Sequence, residues 1–200
     1  MTALPQRKTY PPEEYLALER EAEEKSEFHD GVIVRRASSD IDHVSIMVNL
    51  ASEIHTQIKQ KRQARVLMCD MKIRTPDARY FFYPDILVLL DKPIFNDRET
   101  DVVLNPGIIV EIISKETAAF DRNDKFLIYQ KFESLKEYIL VDQRIPRVEK
   151  FVRSDTRVWN YKAVSGLEKS IKFQTIESEI RLFETYRSVE TTENYKEVNL

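Results

Sequence analysis

The chain is poor in cysteine and glycine, with one Cys and three Gly in 200 residues. A lone Cys69 excludes an internal disulfide and a cysteine-based zinc site, and it points to a reducing, cytoplasmic setting. Three glycines leave no material for a Gly-rich phosphate loop. Nucleophile-elbow serine, His-Glu-x-x-His and paired-Cys spacings are missing too. No apolar run approaches the roughly 18 residues that span a bilayer. Met1 to Tyr10 has no apolar centre of a secretory signal, so no membrane association is expected. Charge of one sign is also lacking: 31 Lys and Arg stand against 34 Asp and Glu, for a net charge of -3. Nucleic-acid contact would therefore need a local basic patch. Lys59-Gln60-Lys61-Arg62 with Arg65, and Arg144 with Arg147, are the candidates.

What is present is enough apolar material, 42% of residues, for one full core, and the length favours a single domain over residues 1–200. Thr9-Tyr10-Pro11-Pro12-Glu13-Glu14 reads as a helix start, with Thr9 as cap and acids in the first turn, and the helix should run to about Lys25. Asp30-Gly31 between strand-like residues predicts a hairpin over Glu27 to Val34. From His43, the spacing of Val44, Met47, Val48, Ala51, Ile54 and Ile58 predicts a long amphipathic helix. Strands are expected over 66–74, 81–90, 107–114 and 137–141, with a surface loop over 91–106 and a helix over 121–132. Arg147 to Val152, Val158 to Val164 and Ser170 to Phe173 should extend the sheet antiparallel, and Ile180 to Tyr186 should close it with a turn or short helix. The order describes an α/β fold with a mixed sheet flanked by helices. Glu190 to Leu200 is polar enough to fray.

Two carboxylates interrupt the apolar runs. Tyr83-Pro84-Asp85 opens the run through Leu90, and Glu111 lies inside Ile108 to Ile113. A buried carboxylate is costly without a cation, a proton or hydrogen bonds. Two on neighbouring strands therefore suggest a shared divalent metal, with the carbonyl of Ile112 as a third oxygen. A structural ion pair explains the same spacing, with Asp85 capping a bulge and Glu111 meeting a lysine. Alternation puts Glu111, Ile113 and Lys115 on one face of their strand.

Further motifs occur in a fixed order. They are Lys25-Ser26-Glu27-Phe28-His29-Asp30-Gly31, His43 with Asn49-Leu50, Cys69-Asp70-Met71-Lys72-Ile73-Arg74, Tyr83-Pro84-Asp85, Asn105-Pro106 before Val110-Glu111-Ile112-Ile113-Ser114, and Tyr138-Ile139-Leu140-Val141-Asp142. Together, from about Tyr10 to Tyr186, they resemble the Uma-type family of restriction endonucleases, a bacterial branch of the PD-(D/E)XK nuclease superfamily. The resemblance implies a restriction-endonuclease-like core with an N-terminal helix and hairpin and a C-terminal antiparallel extension. It also implies magnesium-dependent phosphodiester hydrolysis, with manganese as a substitute and DNA rather than RNA as substrate. Asp85 matches the metal-binding aspartate and Glu111 the second acid. The lysine expected two residues later is Ile113 here. In the Uma-type pattern the cation comes from the next helix, which makes Lys125 the candidate, with Tyr129 one turn on and Lys115 as the local rival. Glu27 and Asp70 match acids that could add ligands, and His43 matches a histidine that could orient a carboxylate or touch phosphate. Ser114 with Thr117 matches a turn that helix capping also explains. His29 and His55 have no evident partner. Nucleases that cut both strands commonly act as two-fold pairs, so a homodimer is expected. The alternative is a nucleic-acid-binding or protein-interaction module that keeps the fold without turnover, which Ile113 and the negative net charge favour.

Overall fold

A computed structural model of the chain describes residues 8–59 and 64–191. Helix α1 (Pro12–Glu21) precedes the hairpin β1 (Ser26–His29) and β2 (Val32–Arg35), and helix α2 (Ile41–Ile58) follows. Next come β3 (Arg65–Met68), β4 (Lys72–Arg74), β5 (Tyr80–Phe82), β6 (Ile86–Leu89), β7 (Val102–Val103) and β8 (Ile108–Ile113). A helical segment is built from α3 (Ala118–Phe120), a π-turn (Asp121–Lys125) and α4 (Phe126–Tyr129). The chain continues through β9 (Glu137–Asp142), β10 (Arg147–Asp155), β11 (Val158–Ser165), β12 (Ser170–Phe173), β13 (Ser178–Arg181) and α5 (Leu182–Thr185).

Among the described residues a six-stranded sheet has the order β11-β10-β9-β8-β6-β3, with β8 and β9 parallel and its other pairs antiparallel. A smaller sheet has the order β2-β1-β5-β4-β7. Alternation divides the large sheet between two cores. Ile86, Val88, Val110, Ile112 and Ile139 face α2 through Ile46, Leu50 and Ile54, together with the β12–β13 hairpin. Leu87, Leu89, Ile109, Ile113 and Leu140 face Tyr129 and Phe132, where Ile73, Phe82 and Val103 of the small sheet join them. Tyr15, Leu16 and Phe28 seal α1 against the small sheet.

The Asp30-Gly31 turn forms as expected, with φ of 47° and 91°. Both angles lie in the left-handed region that a two-residue hairpin requires and glycine adopts freely. The expected strands 66–74 and 81–90 are each broken. Cys69 turns left-handed at φ 51°, and Pro84 has no N–H for a ladder. Each expected strand thus gives one half to each sheet. Helix α1 ends at Glu21, short of Lys25, and its cap position is Pro11 with no side-chain bond, so Thr9 does not cap it. On α2, Val44 and Val48 are exposed, and Ile46 and Leu50 fill the core in their place. The expected surface loop 91–106 contains the buried strand β7, which pairs with β4. Strand β12 does not extend the large sheet but pairs with β13. Gln60, Lys61 and Arg62 of the basic patch lie outside the described residues, as does most of the tail from Glu190.

Candidate active site at the seam between the sheets

Register decides where the two interrupting carboxylates meet. Strands β6 and β8 pair antiparallel with Ile86 opposite Val110 and Leu87 opposite Ile109. Continuing that register places Asp85 opposite Glu111, so both side chains project to the same face. Ile112 then stands opposite Pro84, which donates nothing to its carbonyl. The Ile112 amide donates instead to Asp85 Oδ2 at 2.8 Å. Both acids and Ile112 line a cleft of about 420 Å³, with Glu27, His43 and Asp121 on its other walls.

Glu111 is buried at 4% exposure, yet its Oε1 has two partners. The Tyr129 hydroxyl donates to it at 2.7 Å, and the Lys125 ammonium stands 2.9 Å away. Burial pushes the Glu111 carboxyl up to about 8; Lys125 opposes the rise, and the negative charges of Asp85 and Asp121 add to it. Asp85 goes the other way. Burial raises it, but His43, the Ile112 amide and Lys125 together hold it below the usual aspartate range.

Lys125 arrives by way of the π-turn. Asp121 and Lys125 are the first and last residues of that turn, and the ammonium stands 3.4 Å from the Asp121 carboxylate. Three acids, Glu111, Glu27 and Asp121, raise its pKa against the opposing effect of burial. The ammonium also lies 5.4 Å from the Phe82 ring centre. Lys115 is exposed on the turn after β8 and does not line the cleft. Ile113, in the position of the superfamily lysine, is packed in the core.

Glu27 is held by the Tyr83 amide at 3.2 Å, and its other oxygen lies 3.1 Å from His29 Nε2. His29 therefore does have a partner, and it also stacks on Phe120. Burial raises the Glu27 carboxyl, but Lys125, His29 and the Tyr83 amide bring it below its ordinary value. His43 Nε2 stands 3.2 Å from Asp85 Oδ1 but off the hydrogen-bonding direction. Asp70 is exposed and paired with Lys25, so its carboxylate does not join the cleft. Ser114 and Thr117 bond each other's amides across their turn. Arg147 is drawn to Glu149 at 3.4 Å.

Three contributors escaped the sequence reading. Arg36 donates to Asp85 Oδ1 and to the Cys69 carbonyl, both at 3.0 Å, and nothing in its neighbourhood along the chain marks it. Asp121 had a signal, an acid one turn before Lys125. Glu19 shares its helix face with Tyr15 and Leu16, and it accepts from the Tyr83 hydroxyl at 2.7 Å. That bond anchors the segment carrying Asp85.

Among the described residues no group of three or more His, Cys, Asp or Glu side chains forms a metal cage. The donor set of Asp85, Glu111 and the Ile112 carbonyl nevertheless fits magnesium, which takes one or two carboxylates and completes its shell with water and substrate phosphate.

Comparison with known proteins gives a consistent picture. The family model Uma2, described as "Putative restriction endonuclease", matches residues 12–182. Two uncharacterized proteins of Synechocystis sp. (strain ATCC 27184 / PCC 6803 / Kazusa) are similar. One, sll1609, is 35% identical over 160 residues, covering 80% of this chain and 90% of its own length. The other, slr1290, is 31% identical over 165 residues, covering 80% and 85%. A crystal structure described as "a putative nuclease belonging to DUF820", from Anabaena variabilis ATCC 29413, superposes with a TM-score of 0.72 at 17% identity, covering 88% of this chain and 97% of that one. At that identity the likeness speaks for the fold, which is the expected α/β, restriction-endonuclease-like one.

Proposed function

Because this chain belongs to the Uma2 family of restriction-endonuclease-like proteins, we propose that it is a magnesium-dependent endonuclease that hydrolyses DNA phosphodiester bonds. The observation that carries the reading is the convergence of Asp85 and Glu111 on one cleft through strand register, with the Lys125 ammonium held 2.9 Å from Glu111 behind its wall. Asp85, Glu111 and the Ile112 carbonyl would hold the ion. Magnesium bound there supplies Lewis acidity toward phosphate and lowers the pKa of water.

The remaining chemistry belongs to the chain. Lys125, surrounded by carboxylates, keeps its proton and acts as a donor, steadying Glu111 and the charge that develops on the phosphate. Tyr129 fixes the Glu111 rotamer through its 2.7 Å bond. Glu27 shares the field of Lys125 and lines the same cleft, where it would accept a proton from the attacking water. His43 lines the cleft wall beside Asp85, where a substrate phosphate would meet it. Asp70 and Lys115 have no role in this scheme. Two copies acting as a homodimer would present two such clefts to a duplex, which sedimentation of the purified protein would check.

A second reading, a DNA-binding module without turnover, is favoured by one observation: Arg36 already satisfies Asp85. Plasmid and single-stranded DNA incubated with magnesium or manganese, beside Asp85→Ala, separate the two. Metal-dependent cutting that Asp85→Ala abolishes is expected. DNA binding without cutting in either metal would sink the enzyme reading.

A further inference from the structure

Asp85 is provided with a cation by the chain itself. Its Oδ2 takes the Ile112 amide, and its Oδ1 takes the Arg36 guanidinium at 3.0 Å. The same guanidinium reaches the Cys69 carbonyl and lies 5.8 Å from the Tyr83 ring centre. Arg36 stands just past the end of β2, and its side chain is only partly buried, at 23% exposure. It also lines a second cavity of about 690 Å³ that shares Asp85 with the first. A divalent ion on Asp85 would be repelled by a guanidinium on the same oxygen, and the exposed side of Arg36 gives it somewhere to go.

We propose that Arg36 is a built-in competitor for the metal: its guanidinium holds Asp85 in the metal-free protein and leaves Oδ1 when a divalent ion binds. This rests on the metal-dependent reading above and adds its regulation. The exchange keeps the buried carboxylate paired at every stage, and it sets a threshold of metal concentration below which the site stays closed. The released guanidinium then faces the shared wall of the two cavities, where a phosphate of the substrate would meet it.

Calorimetric titration of manganese into the full-length protein tests this. Arg36→Met should bind manganese about tenfold more tightly or better, and Asp85→Ala should lose binding. The metal-free melting temperature of Arg36→Met should fall while the metal-saturated one stays near wild type, so the metal-induced shift grows. Lower melting with and without metal, at unchanged affinity, would make Arg36 merely structural and overturn the proposal. Should Arg36→Met fail to fold, side-chain ¹⁵N resonances of Arg36 in the wild type give the answer. They should move in step with magnesium saturation, and no movement at saturation overturns the idea. Equal binding by wild type and Arg36→Met defeats the competition alone, whereas no binding by either defeats the metal reading with it.

Discussion

Glu111 behaves unlike an ordinary glutamate because burial opposes its charge. Its folded pKa of about 8 lies above the usual value of 4.5. The native state therefore keeps a proton that the unfolded chain has released between those values. Its contribution to stability is complete below about pH 4.5 and declines as pH rises through 8. A metal needs the ionised form, so its binding should expel a proton below pH 8, with affinity rising up to about tenfold per pH unit and levelling above. Manganese titrations in buffers of different ionisation enthalpy read that proton directly, and pH-independent affinity would remove Glu111 from the ligand set. Lys125→Met is the companion experiment. It strands Glu27 and Asp121, and Glu111 once that group is ionised, without their shared cation, so a loss on the order of 3–5 kcal/mol in urea denaturation is expected. The exposed Lys115→Met should stay within about 0.5 kcal/mol. Equal effects would return the cation role to the strand end.

At the scale of elements, the π-turn carries a lysine to Glu111, where the strand itself has Ile113. One extra residue in a helix rotates what precedes it by roughly 100°, and π-turns concentrate at functional sites. Deleting the exposed Asn123 should restore a regular helix. Tyr129 is locked in the core, so the segment before the deletion turns, carrying Asp121 away from Lys125. The expected outcome is a folded protein that has lost the Lys125–Asp121 contact and is less stable in urea denaturation, at unchanged manganese affinity because neither residue is among the proposed ligands. Unchanged stability would mean that the turn is incidental. Much of this architecture is legible in the sequence. Asp-Gly marks the hairpin, the periodicity marks α2, and the interrupted apolar runs single out Asp85 and Glu111. The sequence does not show that the runs 66–74 and 81–90 each serve two sheets, since alternation reports apolar faces and not which neighbour covers them. The left-handed Cys69 and the acceptance of the Tyr83 amide by Glu27 exist only once both sheets are assembled. Arg36 is hidden for the same reason, since its partner lies 49 positions along the chain.

For the whole molecule, the site joins bodies that are otherwise held together by packing and by scattered polar contacts such as Lys131–Asp77 and Gln143–Asp40. Glu111 belongs to the large sheet, Glu27 to the small one, Asp85 to the seam and Lys125 to the helical segment. A ligand that binds this arrangement and not the unfolded chain stabilises every part at once. At about a hundredfold above its dissociation constant the gain is about 2.7 kcal/mol, or roughly 5–10 °C in melting temperature for a chain of this size. Magnesium should produce such a shift in the wild type and none in Asp85→Ala. Hydrogen exchange makes the test specific to the seam, because Glu27 and Glu111 share the field of one ammonium across two sheets. Saturating magnesium should slow exchange in Ser26–His29 and in Ile108–Ile113 together. A wild-type shift that Asp85→Ala retains, or protection confined to one sheet, would place the ion elsewhere and leave the cleft a structural ion-pair network.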